Sequence, residues 1–317
     1  MAVIVSLPLA PDIRHALDRL KSLHDGDLGV LEVIACGRRA IPALRALLLE
    51  GESSGIYHPR CRAVEALAAM GARDVLVEFL SSPREVADPV NRTGEEAVIS
   101  AAARALVDSP DERVFSLLLD LAKRQPLAGV IEALGSFRRS EAIPRLITAL
   151  SEDYSRRAAE AALLRMGPRA RPALLRAASR PVPSADWETQ SSRRARRSAV
   201  QLLIQIGVPS RQRSRLRALM EDADPEVRAH ACRAYLASAP EEEKPEAIQR
   251  LVELLPRLGW LLCEEVEECI LDHLESVRAI MAERMREQPP DPTDQSPEAR
   301  IYRSLFRVAQ RAGSVSH

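Results

Sequence analysis

Ala40-Ile-Pro-Ala-Leu-Arg-Ala-Leu-Leu48, Ala142-Ile-Pro-Arg-Leu-Ile-Thr-Ala-Leu150 and Ala170-Arg-Pro-Ala-Leu-Leu-Arg-Ala-Ala178 align without gaps, each with proline at its third position. Pro42 and Pro144 are 102 residues apart, three spacings of 34, and Pro172 follows Pro144 by 28. Self-similarity at that period marks a chain of stacked supersecondary units. Each stretch reads as the first helix of its unit, helix A. Proline near a helix start removes a backbone donor that has no intrahelical acceptor, so it can bend the helix without breaking it.

Ala-rich stretches follow: Arg62–Gly71, Gly129–Gly135, Arg157–Gly167, Arg197–Gly207 and Arg228–Leu236. These read as helix B. Four of the five stop at glycine, which closes a helix in the left-handed conformation, and their small alanines let neighbouring helices approach closely. The expected A/B pairs are 38–50 with 59–70, 73–81 with 94–107, 112–124 with 127–136, 140–151 with 154–166, 169–179 with 187–206, and 211–221 with 225–238. A B-like helix near 27–36 is left unpaired.

Composition agrees with helices. The 317 residues are 46% hydrophobic and 28% charged, but only 3% aromatic, and the apolar content is mostly Ala and Leu. A β-sandwich or barrel leans on β-branched and aromatic residues, so an all-β fold is excluded. Forty-five basic and 45 acidic residues cancel, which removes the global charge signature of a nucleic-acid or membrane partner. Five cysteines without a C-x-x-C pair read as reduced thiols. Met1–Ala10 lacks a basic segment ahead of its apolar residues, and no run approaches the ~20 apolar residues that span a bilayer. A cytoplasmic protein without membrane contact is expected.

The Ile-Pro-x-Leu helix A, together with Leu219-Met-Glu-Asp-Ala-Asp-Pro-Glu-Val-Arg-Ala-His-Ala-Cys-Arg-Ala234, resembles HEAT repeats of the short class first associated with phycobilisome lyases. In the second segment Asp224 reads as N-cap, Pro225 as the first helical residue and Arg228 as the opening of helix B. The resemblance covers roughly residues 27–240. It implies an all-α fold, a right-handed α-α superhelix of about six to seven helix pairs with atypical C-terminal helices. Such repeats serve scaffolds, lyases, hydroxylases and DNA glycosylases, so the likeness speaks to architecture more than function.

The expected organisation is an N-terminal cap over 1–26, the solenoid over 27–240, an atypical helical hairpin over 241–287, a Pro-rich linker over 288–297 and a terminal helix over 298–317. The segment from Trp260 to about Glu287 reads as one long amphipathic helix, with apolar residues advancing by three or four. The terminal helix carries Ile301, Leu305, Val308 and Ala309 on one face. It reads as a cap for the last repeat, or as an element that docks on a partner or a second copy.

Chemistry is sparsely marked. His15, His24, His58, His230, His273 and His317 are scattered, no two at the i, i+4 spacing of a helical metal site, and the His-Glu dipeptides of di-iron HEAT-like hydroxylases are missing. No nucleophile–base signature and no Gly-rich phosphate loop is present. The expectation is no metal, no cofactor and no catalytic residue.

Two features point to binding. Residues 169–217 hold 12 arginines against Asp186 and Glu188, a net +10, and residues 221–275 carry 15 acidic groups against five basic ones, a net −10. Arginine clusters bind phosphates or acidic protein surfaces. With Ala195, Ala199, Leu202 and Ile206 as the buried stripe of their helix, Arg193, Arg194 and Arg197 fall on or beside the open face and are the candidate anion-binding residues. The block reads equally as a solvated face balanced by the acidic block, or by that of a second copy in self-association.

The other feature is a set of stretched A-to-B turns, 51–59, 83–94 and 181–187, which emerge on one edge of a stacked array. Tyr57, His58, Arg60, Asn91, Arg92 and Glu95 form the candidate patch, from residues 52–60 and 86–96, and Trp187 offers a further aromatic anchor. The expected function is a non-catalytic scaffold that binds another protein. Nucleic-acid binding through the arginine patch is the alternative, with a lyase-like chaperone as a third reading.

Overall fold

The computed structural model describes residues 11–107, 111–184, 187–287 and 294–314, which form 18 α-helices and one antiparallel pair of two-residue strands, Pro183–Ser184 and Trp187–Glu188. The expected all-α repeat is what these residues adopt. Backbone contacts divide the chain into two compact units, residues 1–165 and 166–317.

In the first unit the helices are α1 (Pro11–Lys21), α2 (Gly26–Ala35), α3 (Ile41–Leu49), α4 (His58–Ala69), α5 (Arg73–Ser81), α6 (Pro89–Arg104), α7 (Glu112–Arg124), α8 (Ala128–Ser136), α9 (Ile143–Ala149) and α10 (Arg156–Met166). They stack in two rows. The B helices α2, α4, α6 and α8 pack in succession, while α3, α5, α7 and α9 form the other row. Composition explains the division of labour. Ala63, Ala66, Ala102, Ala103 and Ala133 are fully buried between B helices, where a missing side chain brings backbones together, while Leu44, Leu48, Leu76, Leu80 and Leu118 fill the seam from the A row. Each such leucine contributes about 1.5–3 kcal/mol by leaving water.

The prolines sit as expected, at the second residue of α3, α9 and α11 (Arg171–Ala178), each preceded by a short 3-10 turn. The glycine stops hold at Gly71, Gly167 and Gly207, with φ of 71°, 58° and 75°, but not at Gly135. There α8 continues to Ser136, and a Cβ on Gly135 would lie 2.3 Å from the Cβ of Ala162, so the glycine serves the close approach of α10. Arg138 takes the left-handed turn instead, at φ 52°.

Three further expectations are corrected. The helix near 27–36 is not unpaired, because α1 packs along α2. Helix α6 begins at Pro89 rather than 94, since the Asp88 carboxylate accepts from Asn91 N at 2.8 Å and caps it one turn earlier. The segment 260–287 is two helices, α16 (Trp260–Leu271) and α17 (Leu274–Glu287), broken at Asp272-His273.

The second unit holds α11 with α12 (Gln190–Ile206), α13 (Arg213–Leu219) with α14 (Pro225–Leu236), then α15 (Lys244–Leu254), α16, α17 and α18 (Pro297–Ser314). Asp224 caps α14 as its sequence implies, accepting from Glu226 N and Val227 N, both at 3.0 Å. Helix α18 packs on α15, α16, α17 and the turn Leu255–Arg257, burying Ala299, Ile301, Leu305 and Val308. Part of the Pro-rich linker, 288–293, lies outside the described residues.

Candidate functional site

The two edge loops of the first unit do come together, on a platform built by one buried arginine. Arg60 enters from the first turn of α4 and is 5% exposed. Its Nε and Nη2 donate to the Leu48 carbonyl at 3.2 and 2.9 Å, satisfying an acceptor that the end of α3 leaves without an intrahelical donor. The same guanidinium binds both oxygens of the Glu95 carboxylate on α6, with Nη2 to Oε1 at 3.2 Å, and lies over the Phe79 ring. Ser53 Oγ donates to Glu95 Oε2 at 2.7 Å. Burial raises the Glu95 pKa, and the hydrogen bonds from Arg60 and Ser53 outweigh it, leaving the carboxyl below its ordinary value.

Above this pair the loop 51–57 is pinned to its neighbours. Gly55 N donates to Asn91 Oδ1 at 3.1 Å, and Arg84 Nη1 donates to the Gly51 carbonyl at 2.5 Å. At Gly94 on α6 a Cβ would stand 2.0 Å from the Ser54 carbonyl oxygen, so only glycine admits the loop. Arg92 Nε and Nη2 donate to the Val86 and Ala87 carbonyls at 3.0 and 2.8 Å, and fold the second loop back on its helix.

The candidate residues therefore divide. Arg60 and Glu95 are interior bracing and reach no partner, which corrects their expected place as interface anchors. Asn91 is largely spent on Gly55, and Arg92 is exposed but braced. Tyr57 and His58 remain at the surface as a stacked pair, centroids 4.7 Å apart. Two apolar residues that the polar pattern of the patch did not include, Ile56 and Val90, are each 66% exposed, with Val90 against Gly55. An apolar residue in each stretched segment, beside the polar types chosen as anchors, was the available signal.

The arginine block of the second unit is engaged with the acidic block. Arg197 donates to Asp224 through Nε at 3.1 Å and Nη2 at 2.7 Å, and its Nη1 lies 2.8 Å from Glu226 Oε2. Arg196, 3% exposed, repeats the Arg60 device: Nε donates to the Ala178 carbonyl of the preceding helix at 2.7 Å, Nη1 to Glu188 Oε2 at 2.8 Å, and Nη2 to Asp222. The face of α12 that enters the core thus includes Arg196 with Ala199, Val200, Leu202 and Leu203, whereas Ala195 and Ile206 are only half-buried. Arg217 reaches Glu246 at 3.1 Å, and Arg250 reaches Glu221. Arg196, Arg197 and Arg217 of the basic block are thus paired with carboxylates of the acidic block, while Arg250 and Glu221 pair within the acidic block itself. Arg193 and Arg194 are half-buried, the former donating to the Glu188 carbonyl at 3.2 Å. Trp187 is 75% exposed on its hairpin, and Asp186 lies outside the described residues.

His230 on α14 is buried beside this network, with Nδ1 3.3 Å from Arg233 Nη1. Burial and the neighbouring Arg233 and Arg197 push its pKa down to about 4. Among the described residues no cluster of three His, Cys, Asp or Glu is placed to hold a metal ion, and no helix is long and apolar enough to cross a membrane.

No protein-family model matches the chain, and no curated protein matches its sequence. Among solved structures, a crystal structure of an engineered protein from a structural genomics consortium is similar over 97% of this chain and 92% of its own, at 17% identity and a TM-score of 0.35. A likeness that distant carries no argument about function.

Proposed function

We propose that this chain is a non-catalytic HEAT-like scaffold that binds another protein through the edge formed by residues 52–60 and 86–96 and the adjoining face of α4 and α6. One observation chiefly supports this reading. Ile56 stands exposed on the 51–57 loop and Val90 on the first turn of α6, and the backbone here is fixed from beneath by Arg60, Glu95, Asn91 and Gly94. Single exposed apolar residues are ordinary. Two on a braced edge, flanked by a Tyr–His stack, present anchor area that loses little conformational freedom on binding. Of the arginines named for the nucleic-acid alternative, Arg197 is already engaged by Asp224 and Glu226.

Affinity capture from the native host, with and without nuclease, tests the proposal. A partner that survives nuclease and is lost on Ile56→Glu with Val90→Glu, at unchanged helix content, supports it. Retention of every captured protein by that double variant sinks it.

A further inference from the structure

We propose that the cavity between α14 and α15, in the second unit, binds a small organic acid with a single carboxylate, held by Arg228 and Arg257, on an apolar body. Three arginines of the chain occupy one position of the B helix. Arg60, Arg196 and Arg228 are each followed by buried residues three, four, six and seven places on, beginning with Ala63-Val64, Ala199-Val200 and Ala231-Cys232. Two of the three do the same work. Nε of Arg60 donates to the Leu48 carbonyl near the end of α3, and Nε of Arg196 to the Ala178 carbonyl at the end of α11. Their terminal nitrogens bind carboxylates, Glu95 in the first case and Glu188 with Asp222 in the second.

Arg228 has neither kind of partner. Its Nε is buried without a hydrogen bond, and among the described residues its guanidinium forms no ion pair. A buried donor left unpaired is costly, and an arginine in this position is elsewhere matched by a carboxylate. Arg228 lines a cavity of about 490 Å³. Arg257 lines it too, exposed and likewise without a hydrogen-bond or ion-pair partner for its guanidinium among the described residues.

The remaining charges set the class of ligand. Glu221 and Glu246 line the cavity but are already matched, by Arg250, which pairs with both, and by Arg217, 3.1 Å from Glu246. Glu253 accepts from Gln249 Nε2 at 3.3 Å and has no cation of its own. Two unpaired guanidiniums against one glutamate call for one further negative charge. A carboxylate supplies it, as in the other two repeats. A phosphate dianion or a run of acidic side chains overshoots it and meets Glu221, Glu246 and Glu253, all exposed. Met220 and Leu254 give the lining its apolar part, against which a hydrocarbon body gains by leaving water. Arg228 is half-buried with Nε enclosed, so its guanidinium loses little freedom on binding.

Calorimetric titration of the full chain with hexanoate at low salt tests the site, which belongs to a different unit from the Ile56/Val90 edge. Binding should saturate, acetate should bind at least about tenfold more weakly, and the uncharged hexanamide should give no saturable heat. Arg228→Gln and the exposed Arg257→Gln should each weaken hexanoate at least about tenfold at unchanged helix content, and Arg38→Gln, an exposed control in the first unit, should not. No saturable heat with hexanoate, equal binding of hexanamide or acetate, or indifference to both cavity variants overturns the proposal. Tighter, Arg228-dependent binding of inorganic phosphate overturns it in favour of a phosphoryl ligand. Arg228-dependent binding of a Glu-rich synthetic peptide, with hexanoate silent, overturns it in favour of a protein side chain.

Discussion

Arg60 on α4 and Glu95 on α6, 35 residues apart, form a buried ion pair that also closes the carbonyl end of α3, tying three helices of successive repeats at one point. Buried pairs of this kind cost desolvation, and the larger penalty comes from removing one member alone. Arg60→Met should cost about 3–5 kcal/mol in chemical denaturation, because it strands the Glu95 carboxylate and the Leu48 carbonyl. Adding Glu95→Leu should recover much of that loss. Additive single effects would show that the two residues are not coupled.

Arg104 and Glu132 join α6 to α8 by an ion pair at 2.8 Å, but both side chains are nearly half exposed. Water and salt screen such a pair. Arg104→Ala should change stability by less than about 1 kcal/mol, and the residual effect should shrink in high salt. A loss comparable to that of Arg60→Met would contradict burial as the deciding variable.

Gly94→Ala places a methyl group into the Ser54 carbonyl oxygen, a backbone atom that can yield only by lifting the loop. Overpacking of this sort costs about 1–3 kcal/mol. The expected signature is local. Amide exchange should accelerate at residues 52–57 with little change elsewhere, and any partner of the Ile56/Val90 edge should bind more weakly.

Acid should destabilise the second unit through His230 before the carboxylates respond. The unfolded histidine takes up a proton near 6.5, whereas the buried one resists until about 4, so stability is full above 6.5 and falls as pH drops through that window. By pH 4 the loss is on the order of 3 kcal/mol. Asp224 is also held below its ordinary value, where burial raises its pKa and the Arg197 and backbone hydrogen bonds outweigh that, so its contribution is lost at still lower pH. Denaturation of His230→Gln at pH 7, 5.5 and 4.5 should give a flatter profile than the parent. An unchanged slope would show that His230 is not the titrating group.

The helical repeat was legible because its marks are local. Proline at the second helical residue, alanine on the B row, Asp224 before Pro225 and glycine after Met70, Met166 and Ile206 each act within one turn of the residue that carries them. The misplacements were local as well. Asp88-Pro89 has the composition of a turn yet caps and opens α6, and the break at Asp272-His273 carries no proline or glycine to announce it.

What could not be read along the chain was which charges are already spent. Arg60, Arg196 and Arg197 look as available in sequence as any arginine on a helix, but each finds its carboxylate one repeat away, at separations of 35, 26 and 27 residues. A hydrogen bond is made or lost within about half an ångström, and that distance is set by how closely Ala-lined helices stack. Periodicity determined the fold, but not every buried face, since α12 turns Arg196 into the core and leaves Ala195 and Ile206 half-buried. Only the packing of one repeat on the next decided that Arg196, Arg197 and Arg217 close on the acidic block, and that Ile56 and Val90 are left facing solvent.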